Sequence, residues 1–486
     1  MDAVLPALRR YAPVLPVVAL VALLALPVSP GTEGTPQVTV ADVASGLVVA
    51  YCVLAAVRSA RRPLTRTAAL LFGLPVLGVT VAACAAPTGG AALAGAARYL
   101  QVFVLVPLAV LALIRDGRDV RLVAWSFVGL ALWQGGIGVH QYLTGTGASY
   151  RGEDIRAVGT FGPTDVMGMA TVVSYGVVCA LGLAFRGGAP RQRAAAGGCA
   201  ALLVVPLALS FSRGAWIATA AACGTVLVLS GVRRALRVVV TATAAAVVLV
   251  GGFGVGSQLL QERLGSITQV ADAPDQSVTD RYTMWAASVA MWRERPATGV
   301  GLKGFPEYRD SHASVALSSG SDTAGAGQGF RRQPLLSPHN MYLLVLSEQG
   351  LLGLCALVGC WAGLLTCVLR RWARARRRPL SSPGTPESGD RLDCALIACG
   401  LLVWQVVDFL YADIGGPSTV LTAVVLGVAG WWGVGDHVRD RVRERVRGRL
   451  RDDVREPGRD DVPDGVCDDA RGDARADMRP LEAAQP

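Results

Sequence analysis

The chain has 486 residues, 52% of them hydrophobic and only 17% charged, where a soluble chain carries about a quarter charged residues. The formal net charge of +10 is almost entirely arginine, with Lys303 the single lysine, and the eleven cysteines show no metal-ligand or disulfide spacing. These numbers exclude a soluble globular enzyme, a disulfide framework and a zinc protein, and they describe a polytopic membrane protein.

Apolar runs long enough to cross ~30 Å of hydrocarbon recur near 13–28, 40–57, 67–84, 98–114, 119–142, 165–185, 195–211, 214–231, 235–255, 340–369, 391–411 and 416–434. They predict about twelve transmembrane helices. The first run follows Arg9 and Arg10 without a convincing cleavage site, so it reads as a helix that also directs insertion. Arginines then alternate between loops: RSARRPLTR, RDGRDVR, RGGAPRQR, VRRALR and RRWARARRR are rich, whereas SPGTEGTPQV, residues 85–97 and YADIGG have none and residues 143–164 hold Arg151 and Arg156. By the positive-inside rule both termini are cytoplasmic and the long polar loop is outside. The basic excess therefore follows topology and does not predict a nucleic-acid partner.

The expected fold is an all-α polytopic membrane protein. Residues 1–255 carry helices one to nine, 256–338 form an extracytoplasmic loop, 339–434 carry helices ten to twelve, and 435–486 form a basic cytoplasmic helix and disordered tail. In the tail, Val438, Val442, Val446, Leu450 and Val454 make a stripe that fits a helix on anionic lipid or a solvated or coiled-coil helix equally well.

Polar groups at membrane level carry the functional reading, because charge there is costly and usually has a use. Four fall on the external side: Arg98 opening the fourth span, Arg213 in the turn SFSRGAW, Arg281 in DRYTMWAASVAMW, and His339 in SPHNMYLL. Each has a structural alternative. Arg98 snorkels at the interface or serves a site; Arg281 pairs with Asp280 or with Glu294 on a loop helix; His339 N-caps the tenth span with Asn340. As a cluster, arginines offer planar bidentate donors to a pyrophosphate, and a neutral histidine accepts a hydroxyl proton at neutral pH. His140 reads as an interhelical polar contact, His312 sits in a flexible-looking Ser/Gly-rich stretch, and His437 is cytoplasmic. No nucleotide-binding glycine loop and no sizeable cytoplasmic domain is present, so the donor is expected on the membrane already.

The order of SFSRGAWIA, DRYTMWAASVAMWRERPATGVGLKGF and SPHNMYLLVLSEQGLLG, with VGTFGPTDVMGMA before them, resembles the O-antigen ligase and polymerase superfamily over residues 155–355. The resemblance implies a GT-C-like, metal-independent, inverting glycosyltransferase of the bacterial plasma membrane, with no cofactor. Its substrates would be an undecaprenyl-pyrophosphate-linked glycan donor and an acceptor glycan or glycolipid. By the same resemblance His339 matches the base, Arg213 and Arg281 match donor pyrophosphate ligands, and Arg98 is a looser match. Residues 311–330 look like an insertion. The competing class is a twelve-helix secondary transporter with Asp408 and Glu348 as proton carriers, or a component of polysaccharide export. Related halves, which a transporter usually has, are not evident.

Overall fold

The computed structural model describes residues 10–27, 39–59, 64–86, 89–150, 154–161, 165, 167–185, 189–247, 276–318, 321–324, 330–333, 335–377 and 389–435. The expected tail helix, the disordered tail and His437 lie outside the described residues. The chain is helical: α1 Leu15–Leu23, α2 Val40–Ser59, α3 Arg66–Cys84, α4 Gly89–Leu113, α5 Gly117–Thr144, α6 Gly168–Ala184, α7 Pro190–Leu209, α8 Arg213–Ser230 and α9 Val232–Val247. Two helices of the polar loop follow, α10 Gln276–Glu294 and α11 Phe305–His312, then α12 Met341–Arg377, α13 Gly389–Asp408 and α14 Thr419–Gly435. Among the described residues, seven helices are long and apolar enough to cross a membrane: α2, α3, α4, α5, α7, α8 and α12. The apolar helices α6 and α14 are shorter.

Local chemistry accounts for several boundaries. Asp116 caps α5 by accepting from the N–H groups of Arg118 and Asp119, and Gly145 ends it at φ 70°. Thr65 caps α3 and Ser212 caps α8 in the same way. Residues 419–430 of α14 are buried on every side, as expected of a helix hydrophobic all round. Small residues let its neighbours close in: a Cβ on Gly427 would lie 2.5 Å from Val110 of α4, and one on Gly433 would lie 3.1 Å from Val368 of α12. By contrast α2 and α7 leave most of their apolar side chains uncovered, the pattern of a lipid-facing helix.

One joint links the polar loop to the membrane helices. α12 is broken at Gly350 (φ 65°, ψ −163°), and the turn segment 296–302 packs against the break. Val300 N–H donates to Ser347 O (2.8 Å), Gly301 N–H to Glu348 O (3.1 Å), Leu351 N–H to Pro296 O (2.9 Å) and Leu352 N–H to Ala297 O (3.2 Å). The backbone groups freed by the break are thus satisfied by the loop. Glycine is required on both sides, since a Cβ on Gly299 or on Gly350 would sit 2.4 Å from the other segment's backbone. Glu348, buried, accepts from Phe305 N–H at 3.3 Å. The Gly-x-Gly turn and the Glu-x-Gly-Leu-Leu-Gly motif are therefore two halves of one contact.

An all-helical chain was expected; the described residues add one small antiparallel sheet. β1 Ala148–Tyr150 pairs with β2 Asp154–Arg156 and with β3 Ser321–Ala324, and β3 pairs with β4 Phe330–Gln333. The Ser/Gly-rich stretch that looks flexible in sequence thus contributes a strand to the loop that follows α5. His312 is likewise ordered: it ends α11, with Nε2 2.8 Å from Glu294 Oε1. Dehydration lowers its pKa, but its bonds to Tyr308 O and Glu294 outweigh this and hold it above 6.5.

Candidate functional site

The site is assembled around a segment that sequence reading treats only as an arginine-free loop: FLYADIGGPS, residues 409–418, between α13 and α14. It is packed against each of the elements that carry three of the four predicted residues.

The SPHN turn lies against its first half. Asn340 caps α12, accepting from Leu343 N–H (3.0 Å), while its amide donates to Leu410 O (3.0 Å). Met341 N–H donates to Phe409 O (2.9 Å) and Ala412 O (3.0 Å). From the other side the Trp285 indole of α10 donates to Pro338 O at 2.9 Å. The capping role is thus Asn340's, and His339 is free of it. His339 has φ 49°, a left-handed conformation that a residue with a side chain adopts at a cost and that tends to mark functional positions. It is exposed on one side, and the protein packed around the turn partly desolvates the imidazole. Desolvation lowers its pKa from 6.5; Asp413 raises it, Arg281 lowers it further, and the balance is a lowering. At neutral pH the imidazole is therefore a base with a free lone pair.

The Ser-Arg-Gly turn approaches from α8. Phe211 is left-handed (φ 50°), Ser212 accepts from Ala215 N–H (3.2 Å), and Arg213 is exposed at the first position of the helix. Gly214 packs on Tyr411: a Cβ there would lie 3.0 Å from that of Tyr411. The glycine of the motif thus lets the arginine turn sit against the 409–418 segment.

Arg281 is half-buried on α10, one turn before Trp285. Of the two carboxylates that spacing offers it, Asp280 accepts from Gln276 (2.9 Å) and from Ser318 N–H and Oγ (2.8 and 2.6 Å), and Glu294 meets His312. Arg281 is close enough to His339 to act on its charge.

Arg98 reaches the other end of the segment, donating to Gly416 O at 2.9 Å. Its guanidinium is also ion-paired with Asp42 of α2, and Gln101 joins that pair to Ser45. Arg98 is thus tied between α2 and the segment, an alternative to lipid snorkelling that spacing does not reveal.

Two acids were missed. Asp413 lies in the segment itself, acts on His339, and has a buried Oδ2 with no hydrogen-bond partner among the described residues. Asp165, in VGTFGPTDVMGMA, accepts from Ser418 N–H at 3.0 Å, and Gly416 must lack a Cβ because one would sit 2.6 Å from its carboxyl carbon. The only sequence signal for Asp413 is an acid two residues before paired glycines in an arginine-free loop. His140 is exposed, and the polar contact expected of it is made by Gln141, which binds the backbone of Val158 and Gly159. Among the described residues no group of three or more His, Cys, Asp or Glu side chains is arranged to hold a metal.

Residues 198–358 match the Wzy_C family model, described as O-Antigen ligase. The chain carries an O-antigen ligase domain. That domain begins in α7 and ends in α12, so it contains Arg213, Arg281, Trp285 and His339 together with the Gly350 joint. The segment 409–418, Arg98 and Asp165 lie outside the matched residues. The family indicates an O-antigen ligase-like, glycosyltransferase-type activity on lipid-linked glycans, and with the apolar helices it indicates a multi-pass protein of a bacterial inner membrane. No curated protein matches the chain.

Proposed function

We propose that the protein transfers a glycan from an undecaprenyl-pyrophosphate carrier to a hydroxyl of an acceptor sugar on the outer face of the cytoplasmic membrane. The observation that carries this reading is the convergence of the SPHN turn, the Ser-Arg-Gly turn and Arg98 on the single segment 409–418, with Arg281 and Asp413 acting on His339. His339 takes the proton of the acceptor hydroxyl as its oxygen attacks the anomeric carbon. The bond from that carbon to the pyrophosphate oxygen breaks, with inversion, and the charge on the leaving group is met by Arg213 and Arg281. Asp413 favours the imidazolium that results. Arg98 supports the segment from the far side and is assigned a substrate contact only through it.

The reading includes twelve spans, cytoplasmic termini and an extracytoplasmic 256–338 loop. A reporter inserted within residues 311–330 is expected to be active only outside, and one fused after Arg378 only in the cytoplasm. A cytoplasmic signal from the loop insertion contradicts the whole arrangement. Because arginines rather than a divalent ion are assigned to the leaving group, transfer is expected to persist in excess chelator; strict dependence on magnesium or manganese contradicts that assignment.

A further inference from the structure

We propose that Trp285 is a positioning residue for His339, acting through its indole hydrogen bond to the Pro338 carbonyl. This rests on the reading of His339 as the base. The Pro338 carbonyl belongs to the same planar peptide as the His339 nitrogen, so holding that oxygen fixes the plane from which the His339 side chain departs. On the other side, Asn340 and Met341 are held by the carbonyls of Leu410, Phe409 and Ala412. His339 is therefore clamped between two fixed points in a conformation it would not choose alone (φ 49°). Removing one point lets the backbone relax toward negative φ and carries the imidazole away from Arg281 and Asp413.

The indole is itself supported, with the Tyr282 ring edge-on at 5.5 Å between centroids. It also stands one helical turn from Arg281 on the same face of α10. A single rigid helix thus carries both the arginine assigned to the donor and the group that holds the base. Trp292, further along α10, provides the contrast: its indole N–H is buried with no hydrogen-bond partner among the described residues. The charged groups acting on His339 are Arg281 of α10 and Asp413 of the 409–418 segment.

The test uses purified full-length protein and diethyl pyrocarbonate, with modification of His339 followed by peptide mass spectrometry across pH. His312, held above 6.5, is an internal reference in the same digest. In the parent, His339 is expected to react with a midpoint below 6.5. In Trp285→Phe the midpoint is expected to move up toward 6.5, while affinity for undecaprenyl pyrophosphate stays within about twofold and kcat falls roughly ten- to a hundredfold. Trp292→Phe is expected to behave as the parent. If Trp285→Phe accumulates poorly, the isosteric benzothienyl analogue at 285 removes the N–H alone and is expected to give the same shift. An unchanged His339 profile in the Phe or analogue protein overturns the proposal, as does an equal shift in Trp292→Phe. A separate outcome concerns the base reading: normal transfer by His339→Ala sinks that reading, whatever the modification profile shows. In a His339→Ala background Trp285→Phe is expected to add no further loss, and an added loss of the same size also overturns the positioning role.

Discussion

His339→Ala is expected to lower turnover by about 10²–10⁴-fold, the usual contribution of a positioned general base, while leaving affinity for undecaprenyl pyrophosphate near that of the parent. The reason is a division of labour around the SPHN turn. The SPHN turn contributes the imidazole, whose pKa is held below 6.5 by desolvation and by Arg281 against the pull of Asp413, and the arginines contribute the donor contacts. Helix capping is carried by Asn340 through Leu343 N–H, so the substitution leaves the start of α12 intact. The same pKa sets the pH profile. A base must be neutral, so as pH falls activity is expected to decline with a midpoint below 6.5. A decline centred well above 6.5 contradicts the desolvated setting of His339.

Arg213→Lys and Arg281→Lys are expected to weaken donor affinity and turnover together, each by roughly ten- to a hundredfold. Lysine keeps the charge but loses the planar fork, and one charge-assisted hydrogen bond is worth about 1.5–3 kcal/mol. Arg98→Lys is expected to be milder in turnover, because lysine can keep the ion pair with Asp42 while giving up the bond to Gly416 O. Arg98→Ala leaves Asp42, mostly buried, without its partner and is expected to reduce accumulation. Binding and turnover of the four variants, normalised to the amount of folded protein, check this ordering. Full activity in both Arg213→Lys and Arg281→Lys contradicts bidentate recognition of pyrophosphate.

What could be read from sequence and what could not follows the range of the interactions. The apolar runs, the Asn340 cap and the Ser-Arg-Gly turn depend on neighbours a few residues away, and three of the four motifs that resemble the family sit where the family domain matches, VGTFGPTDVMGMA lying before it. The contacts that turn separate motifs into a site are between distant residues. Gly214 meets Tyr411, Asn340 meets Leu410, and Arg98 meets Asp42 and Gly416, and none of these pairings leaves a periodic trace. Asp413 was overlooked for that reason. It occupies a short loop whose arginine count alone was informative, and its importance appears only when that loop lies beneath His339. The four-stranded sheet was hidden likewise, because its strands are three or four residues long and β3 pairs with a strand more than 160 residues earlier. The Gly350 break is masked by composition: residues 340–369 read as one apolar run, and the complementary Gly299 stands on a different element.

The most direct test of the central claim is transfer by the purified protein in liposomes. Undecaprenyl-pyrophosphate-linked glycan extracted from cells that make it is supplied with an acceptor fraction from the same cells, and both products are followed by mass spectrometry. The account predicts that undecaprenyl pyrophosphate is released in equal amount to the glycan gained by the acceptor, with chelator present, and that His339→Ala abolishes both. Movement of intact lipid-linked glycan without bond cleavage, or undiminished transfer by His339→Ala, contradicts it.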